Sequence, residues 1–143
     1  MPVELRIYSE PCYLAVVRSA VDRLCRRIGL DEQGTSEVVL GLDEALSNVI
    51  RHAYGGRAGG RIDIELIPMS DGRRRGLRIT VRDYGRTMAP ESFRSLACGE
   101  GGGQGLRIIK ACMDRVCYEP ADGGGTRLTM TKCKARRKAE KAP

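Results

Sequence analysis

The chain has 143 residues, with 25 Lys+Arg against 18 Asp+Glu, one His, one Phe and no Trp. That length suits one domain with a core of its own. Of the +7 net charge, +5 sits in residues 132–143, so bulk charge makes no case for direct nucleic-acid binding, and the scarcity of Phe and Trp leaves few platforms for stacked bases. No apolar run approaches the ~18 residues of a membrane span. The opening Met-Pro-Val-Glu-Leu-Arg lacks a signal pattern, so a cytoplasmic chain without membrane contact is expected. The six cysteines include no C-x-x-C pair, and His52 alone does not meet the grammar of a zinc site. Reduced, mostly buried thiols are expected.

Residues 3–8 alternate as a short strand. Ser9 then offers an N-cap, with Pro11 in the first turn. Leu14, Val17, Val21, Leu24 and Ile28 form one apolar stripe on a helix that ends near Gly29. A second helix is expected from Thr35 or Ser36 to about Tyr54. Residues 61–67 and 77–82 alternate on either side of Asp71-Gly72, which predicts an antiparallel hairpin. Residues 84–104 are irregular and glycine-rich. A helix over 105–113 and strands near 115–119 and 126–131 complete a domain at 1–134. The basic stretch 135–143 has the composition of a disordered tail. This order predicts an α/β fold, a two-layer sandwich whose sheet is mixed but mostly antiparallel, with helices on one face.

The second helix carries two arcs. Val38, Val39, Leu42, Ala45, Leu46, Val49, Ile50 and Ala53 make the apolar one. The other holds Glu37, Gly41, Glu44, Asn48, Arg51 and His52, which is also how a solvated face looks. Gly41 costs nearly 1 kcal/mol against Ala inside a helix, which fits a close approach from outside. Glu44 and Asn48 stack one turn apart, where carboxylate and carboxamide oxygens can address a hydrated Mg2+ and an attacking group.

Further along, Asp83 ends a strand before Tyr84-Gly85, and is either a turn residue or an acceptor for an exocyclic amino group. The run Gly99-Glu100-Gly101-Gly102-Gly103-Gln104-Gly105-Leu106 leads straight into a helix, whose free N–H groups suit phosphate. A floppy surface loop is the plainer account of it. Neither G-x-G-x-x-G nor the Walker pattern fits.

The order Glu44-x-x-x-Asn48, Asp83-x-Gly85, Gly103-x-Gly105-Leu106, Gly125-Thr126 resembles the four ATP-site boxes of the Bergerat superfamily. Asp43 to Gly56 and Gly103 to Val116 are similar to its anti-sigma-factor serine/threonine kinases, and the likeness spans about residues 3–132. The adenine box departs from the broader D-x-G-x-G pattern, with Thr87 at the second glycine.

The resemblance implies a Bergerat-type kinase that uses ATP and Mg2+ to phosphorylate a serine or threonine of an anti-sigma antagonist, that sequesters a sigma factor, and that forms a homodimer. It makes Asn48 the Mg2+ ligand and Glu44 the base or orienter for the attacking hydroxyl. Asp83 would take the adenine amino group, with Thr126 in support and Gly85 giving the ring room. Gly101, Gly102, Gly103, Gln104, Gly105 and Leu106 would hold the phosphates, with Arg51 and His52 in reach of phosphate or lid. The alternatives are a non-catalytic ATP-binding switch, and a kinase in a phosphatase pathway that binds no sigma factor. The charge and composition of the tail lead to a separate expectation. Truncation after Lys134 should move the thermal midpoint by no more than a degree or two, since exposed changes stay within about ±0.5 kcal/mol; a scan of the shortened chain checks this.

Overall fold

A computed structural model describes residues 1–71, 74–87 and 104–134. The expected tail at 135–143, most of the expected irregular segment, and Gly101, Gly102 and Gly103 lie outside those residues.

Strand β1 is Val3–Tyr8, followed by helices α1 (Cys12–Ile28) and α2 (Glu32–Asn48). A five-residue π-helical turn, Val49–Ala53, extends α2. Strands β2 (Arg61–Asp71) and β3 (Arg74–Asp83) form the expected hairpin, and helix α3 (Gln104–Cys112) leads to β4 (Arg115–Pro120) and β5 (Thr126–Cys133). Among the described residues the five strands make one open sheet in the order β1-β2-β3-β5-β4. Each neighbouring pair is antiparallel, so the mixed character expected of the sheet gives way to an antiparallel one. The pair β1 and β2 explains this: α1 and α2 together return the chain to the same end of the sheet, so β2 runs back along β1.

The helices cover one face. Ile62, Ile64 and Leu66 from β2, Leu77, Ile79 and Val81 from β3, and Leu128 and Met130 from β5 point into that layer. They meet Leu14, Val17, Val21 and Cys25 of α1 and Val38, Leu42, Ala45 and Leu46 of α2. The stripe expected on α1 holds in its first half; further on, Cys25 takes the buried position, and Leu24 and Ile28 are only partly buried.

Two helix starts differ from expectation. Ser9 does not cap α1. Its hydroxyl donates to the Arg57 carbonyl and accepts the Gly60 N–H at 2.8 Å, tying the end of β1 to the approach to β2. Helix α2 begins three residues before Thr35, because Asp31 is its N-cap and accepts the Gly34 N–H at 2.7 Å. The thiols also divide differently. Cys25 and Cys112 are buried, whereas Cys12 opens α1 on its outer side and Cys117 faces outward from edge strand β4, both exposed. Burial pushes the Cys25 thiol up to about 11, which makes it an inert core group.

The other face of the sheet is polar. One rung reads Arg6, Asp63, Arg82, Arg127 and Glu119 across the five strands. Asp63 takes hydrogen bonds from Arg6, Arg61 and the Tyr84 hydroxyl. Partial burial works against its charge, but those bonds prevail and hold the carboxyl at about 2. No helix among the described residues is long and apolar enough to cross a membrane.

Ile79 lies at the centre of this arrangement, fully buried on the middle strand opposite Leu66 and Met130. Ile79→Ala should therefore cost about 2–5 kcal/mol, the range for emptying a packed core position, read from the shift of the urea midpoint at unchanged slope.

Candidate functional site

The polar arc of α2 is not one surface. Its first half is packed: α3 crosses it where Gly41 lies. A methyl placed on Gly41 would be 2.7 Å from Met113 Cε and 3.3 Å from Cys112 Cβ, so what approaches Gly41 is the end of α3 and not a ligand. Glu37 is also structural. It pairs with Lys132 of β5, whose ammonium donates to the Cys112 carbonyl at 2.9 Å as well. The hydrogen bond from Lys132, with another from Gln33, lowers the pKa of the Glu37 carboxyl.

The second half of the arc stays polar and half-buried. Glu44 and Asn48 converge there on the first turn of α3. A methyl placed on Gly105 would lie 3.1 Å from both Glu44 Oε2 and Asn48 Oδ1. Two oxygens of different chemistry thus reach one small volume, which a side chain at position 105 would fill. The first N–H groups of α3 are at this same place, with the positive end of the helix dipole. Leu106, next in sequence, is buried and fixes that end of α3; its part in any phosphate contact is its backbone N–H.

Asn48 ends the α-helical stretch, and the π turn that follows alters the register. Arg51 and His52 do not continue the arc as an α-helical wheel has them: both are exposed. Arg51 curls back, donating to Asn48 Oδ1 at 2.8 Å and to the Ser47 carbonyl at 3.4 Å. Such single-turn widenings of a helix are frequent at functional sites.

Asp83 is 3% exposed at the end of β3. Its Oδ1 accepts the Gly85 N–H at 3.1 Å and the Thr126 N–H at 3.3 Å, and neither bond uses Oδ2. Burial raises the pKa of this carboxyl, while the two amides and Arg82 pull the other way. Its contribution to stability is therefore largest below the ordinary carboxylate range and falls as pH rises through the higher native value. Among the described residues only Oδ1 is engaged, and a nearly enclosed acceptor of this kind suits an amino-group donor.

Gly85 has a backbone reason to be glycine. A methyl there would lie 2.4 Å from the Ala53 carbonyl oxygen, which also accepts the Arg86 N–H at 2.9 Å. The π turn and the Asp83 loop are thereby pressed together, and room for a ring is not what the missing side chain provides. Gly125, at φ +81°, is held as tightly: a methyl there would meet the Asp83 carbonyl oxygen at 2.1 Å. Gly125 stands in the last of the four boxes with no role of its own in the sequence, whereas the Ala53 carbonyl and Lys132 carry no sequence signal for a site.

The donors fit a magnesium–nucleotide pair better than a bare cation. Among the described residues no group of three His, Cys, Asp or Glu could hold a metal ion. Asn48 Oδ1 is one neutral oxygen, which suits Mg2+ completed by phosphate oxygens and water.

Comparison with known proteins bears on the family and the fold. Residues 7–132 match the histidine kinase-like ATPase domain family. The chain is 29% identical over 140 residues to the serine-protein kinase RsbW of Halalkalibacterium halodurans, covering 91% of this chain and 82% of that one. It is 25% identical over 141 residues to the RsbW of Bacillus pumilus, covering 91% and 84%. Among solved structures, one of RsbU and RsbW domains from Mycobacterium tuberculosis superposes with a TM-score of 0.67 at 20% identity, over 96% of this chain and 34% of that one. The histidine kinase domain of a blue-light activated kinase from Erythrobacter litoralis gives 0.54 at 22%, over 85% and 59%.

The Gly85 contact can be tested without a ligand. Gly85→Ala should destabilise the fold by about 1–3 kcal/mol, the range for overpacking, since its neighbour is backbone; Gly55→Ala, in open space although at positive φ, should cost less. Urea denaturation of the two variants makes the comparison.

Proposed function

The chain belongs to the histidine kinase-like ATPase domain family, and on that premise we propose that it is an ATP- and Mg2+-dependent serine/threonine protein kinase. Its substrate is an anti-sigma antagonist protein, and it also sequesters a sigma factor. The observation that carries this reading is the meeting of Glu44 and Asn48 under Gly105, with the buried acceptor Asp83 bounding the far side of the π turn. The similarity to RsbW serine-protein kinases supports the choice of a serine-protein kinase, and the antagonist substrate and sigma-factor binding are what the sequence resemblance implies. A homodimer in the cytoplasm belongs to the same reading.

The residues divide the work as phosphoryl transfer requires, mainly by positioning and by charge neutralisation. Asp83 takes the base, with Thr126 steadying it. Asn48 is the protein ligand for Mg2+, which when bound neutralises charge on the transferring phosphoryl group. The phosphates are assigned to the backbone N–H groups at Gln104, Gly105 and Leu106 that open α3, and the resemblance adds Gly101, Gly102 and Gly103, which lie outside the described residues. Glu44 orients or deprotonates the incoming hydroxyl. Arg51 supports a second reading, a nucleotide-binding switch without phosphoryl transfer, because its guanidinium holds Asn48 Oδ1, the oxygen assigned to the metal.

Glu44→Gln separates the two. The amide keeps the size of the side chain and an acceptor but loses the charge and the basicity. ATP affinity should change less than about threefold while phosphate incorporation into the antagonist falls by about 10²–10⁴-fold, the usual contribution of general-base assistance. Equal incorporation in variant and parent rules out the role of Glu44, and no incorporation by the parent favours the switch. Loss of ATP binding instead would put Glu44 among the metal and phosphate contacts.

A further inference from the structure

The turn between β4 and β5 contains three consecutive glycines at positive φ, Gly123, Gly124 and Gly125. Such a turn loses much conformational entropy on ordering and has no side chains to fix its peptide planes. Yet the amides that leave it define the surroundings of Asp83. Successive N–H groups are dealt to different acceptors: Gly125 donates to Thr87 Oγ1 at 2.8 Å, and Thr126 donates to Asp83 Oδ1 at 3.3 Å. The Thr87 side chain therefore closes the loop that starts at Asp83 back onto the turn. Gly125 itself is crowded against Asp83, since a methyl on it would lie 3.0 Å from Oδ1.

We infer that Thr87 is a positioning residue for base recognition: by taking the Gly125 amide it keeps Asp83 held through Oδ1 and leaves Oδ2 for an exocyclic amino group. The inference rests on the nucleotide-binding reading above and goes beyond it, because it assigns base selectivity to a side chain at a position where the related pattern has glycine. Without the Thr87 hydroxyl, the part-buried Gly125 N–H has lost its acceptor beside an Asp83 whose carbonyl oxygen and Oδ1 both crowd Gly125. Asp83 would then be drawn onto the turn by two adjacent amides, and its second oxygen would lose its fixed aim. A donor base with a 6-amino group suffers from that shift. A 6-oxo base, which has no such group to offer, does not.

The test compares ATP with inosine triphosphate, which carries oxygen in place of the 6-amino group, by calorimetry in Mg2+ on the full chain. Thr87→Val keeps the volume and removes the acceptor; Thr87→Ser keeps the acceptor. Thr87→Val should weaken ATP binding about tenfold, one hydrogen bond's worth, leave the inosine nucleotide within about twofold, and so collapse the preference for ATP. Thr87→Ser should restore that preference to within about twofold of the parent. The thermal midpoint without nucleotide reports whether the fold is intact, and it is measured for each variant. A Thr87→Val protein that keeps the parental preference overturns the inference. Loss of the preference in Asp83→Asn but not in Thr87→Val overturns it while leaving the base-site reading in place. A parent chain that binds the two nucleotides equally, or neither, overturns the base-site reading and the inference with it.

Discussion

Helix α3 can lie directly on the polar side of α2 because a glycine stands at each end of the crossing. Gly41 on α2 admits Met113 and Cys112 at one end, and Gly105 on α3 admits Glu44 and Asn48 at the other. A side chain at position 41 would press on Met113 and Cys112, and one at position 105 would push on the two oxygens and fill the space they share. Lys132 reinforces the first of these contacts by pairing with Glu37 of α2 and capping the Cys112 carbonyl of α3. A cation at a helix C-terminus also complements the dipole there. The polar arc is thus held shut at one end by packing and an ion pair, and it is available for chemistry at the other.

A second coupling joins the two halves of the proposed nucleotide site. The Ala53 carbonyl at the end of the π turn receives the Arg86 amide and is pressed by Gly85. Tyr54 strengthens the junction, since its hydroxyl donates to the Arg61 carbonyl and accepts the Tyr84 N–H at 2.8 Å. The segment bearing Asn48 and the segment bearing Asp83 therefore share backbone contacts, and displacement of one is felt by the other.

The strands were legible in the sequence because one of their faces is dry: Ile64 opposite Val81 and Leu66 opposite Ile79, with Ile62 and Leu77 on the same face, leave a period of two. The pairing of Glu44 with Asn48 was legible for the same kind of reason, a helical spacing combined with residues that helices disfavour. What escaped depends on long-range contact. Gly41 reads as a close approach and Gly85 as room for a ring, and the sequence does not say that α3 and the Ala53 backbone are what lie against them. Glu37 and Asn48 have equal standing on a helical wheel, and only the position of Lys132, 95 residues from Glu37, tells them apart. The π turn has no pattern in Val-Ile-Arg-His-Ala, so the directions of Arg51 and His52 could not be extrapolated from those before them. The early start of α2 was readable in principle: Asp31 is as good a cap as Thr35 or Ser36, and three candidates so close together compete on sequence alone.

Strand β5 touches both ends of the site. Its first residue, Thr126, holds Asp83, and Lys132, six residues on, anchors α3. At about 3.3 Å per residue that is about 20 Å of straight backbone, so β5 acts as a gauge that sets how far Asp83 stands from α3. Side chains on its outer face can vary without altering that distance. Its residue count cannot: one residue more or fewer moves Lys132 to the wrong side of the sheet as well as out of reach. Evolutionary freedom along this strand is therefore freedom of composition, with length held constant.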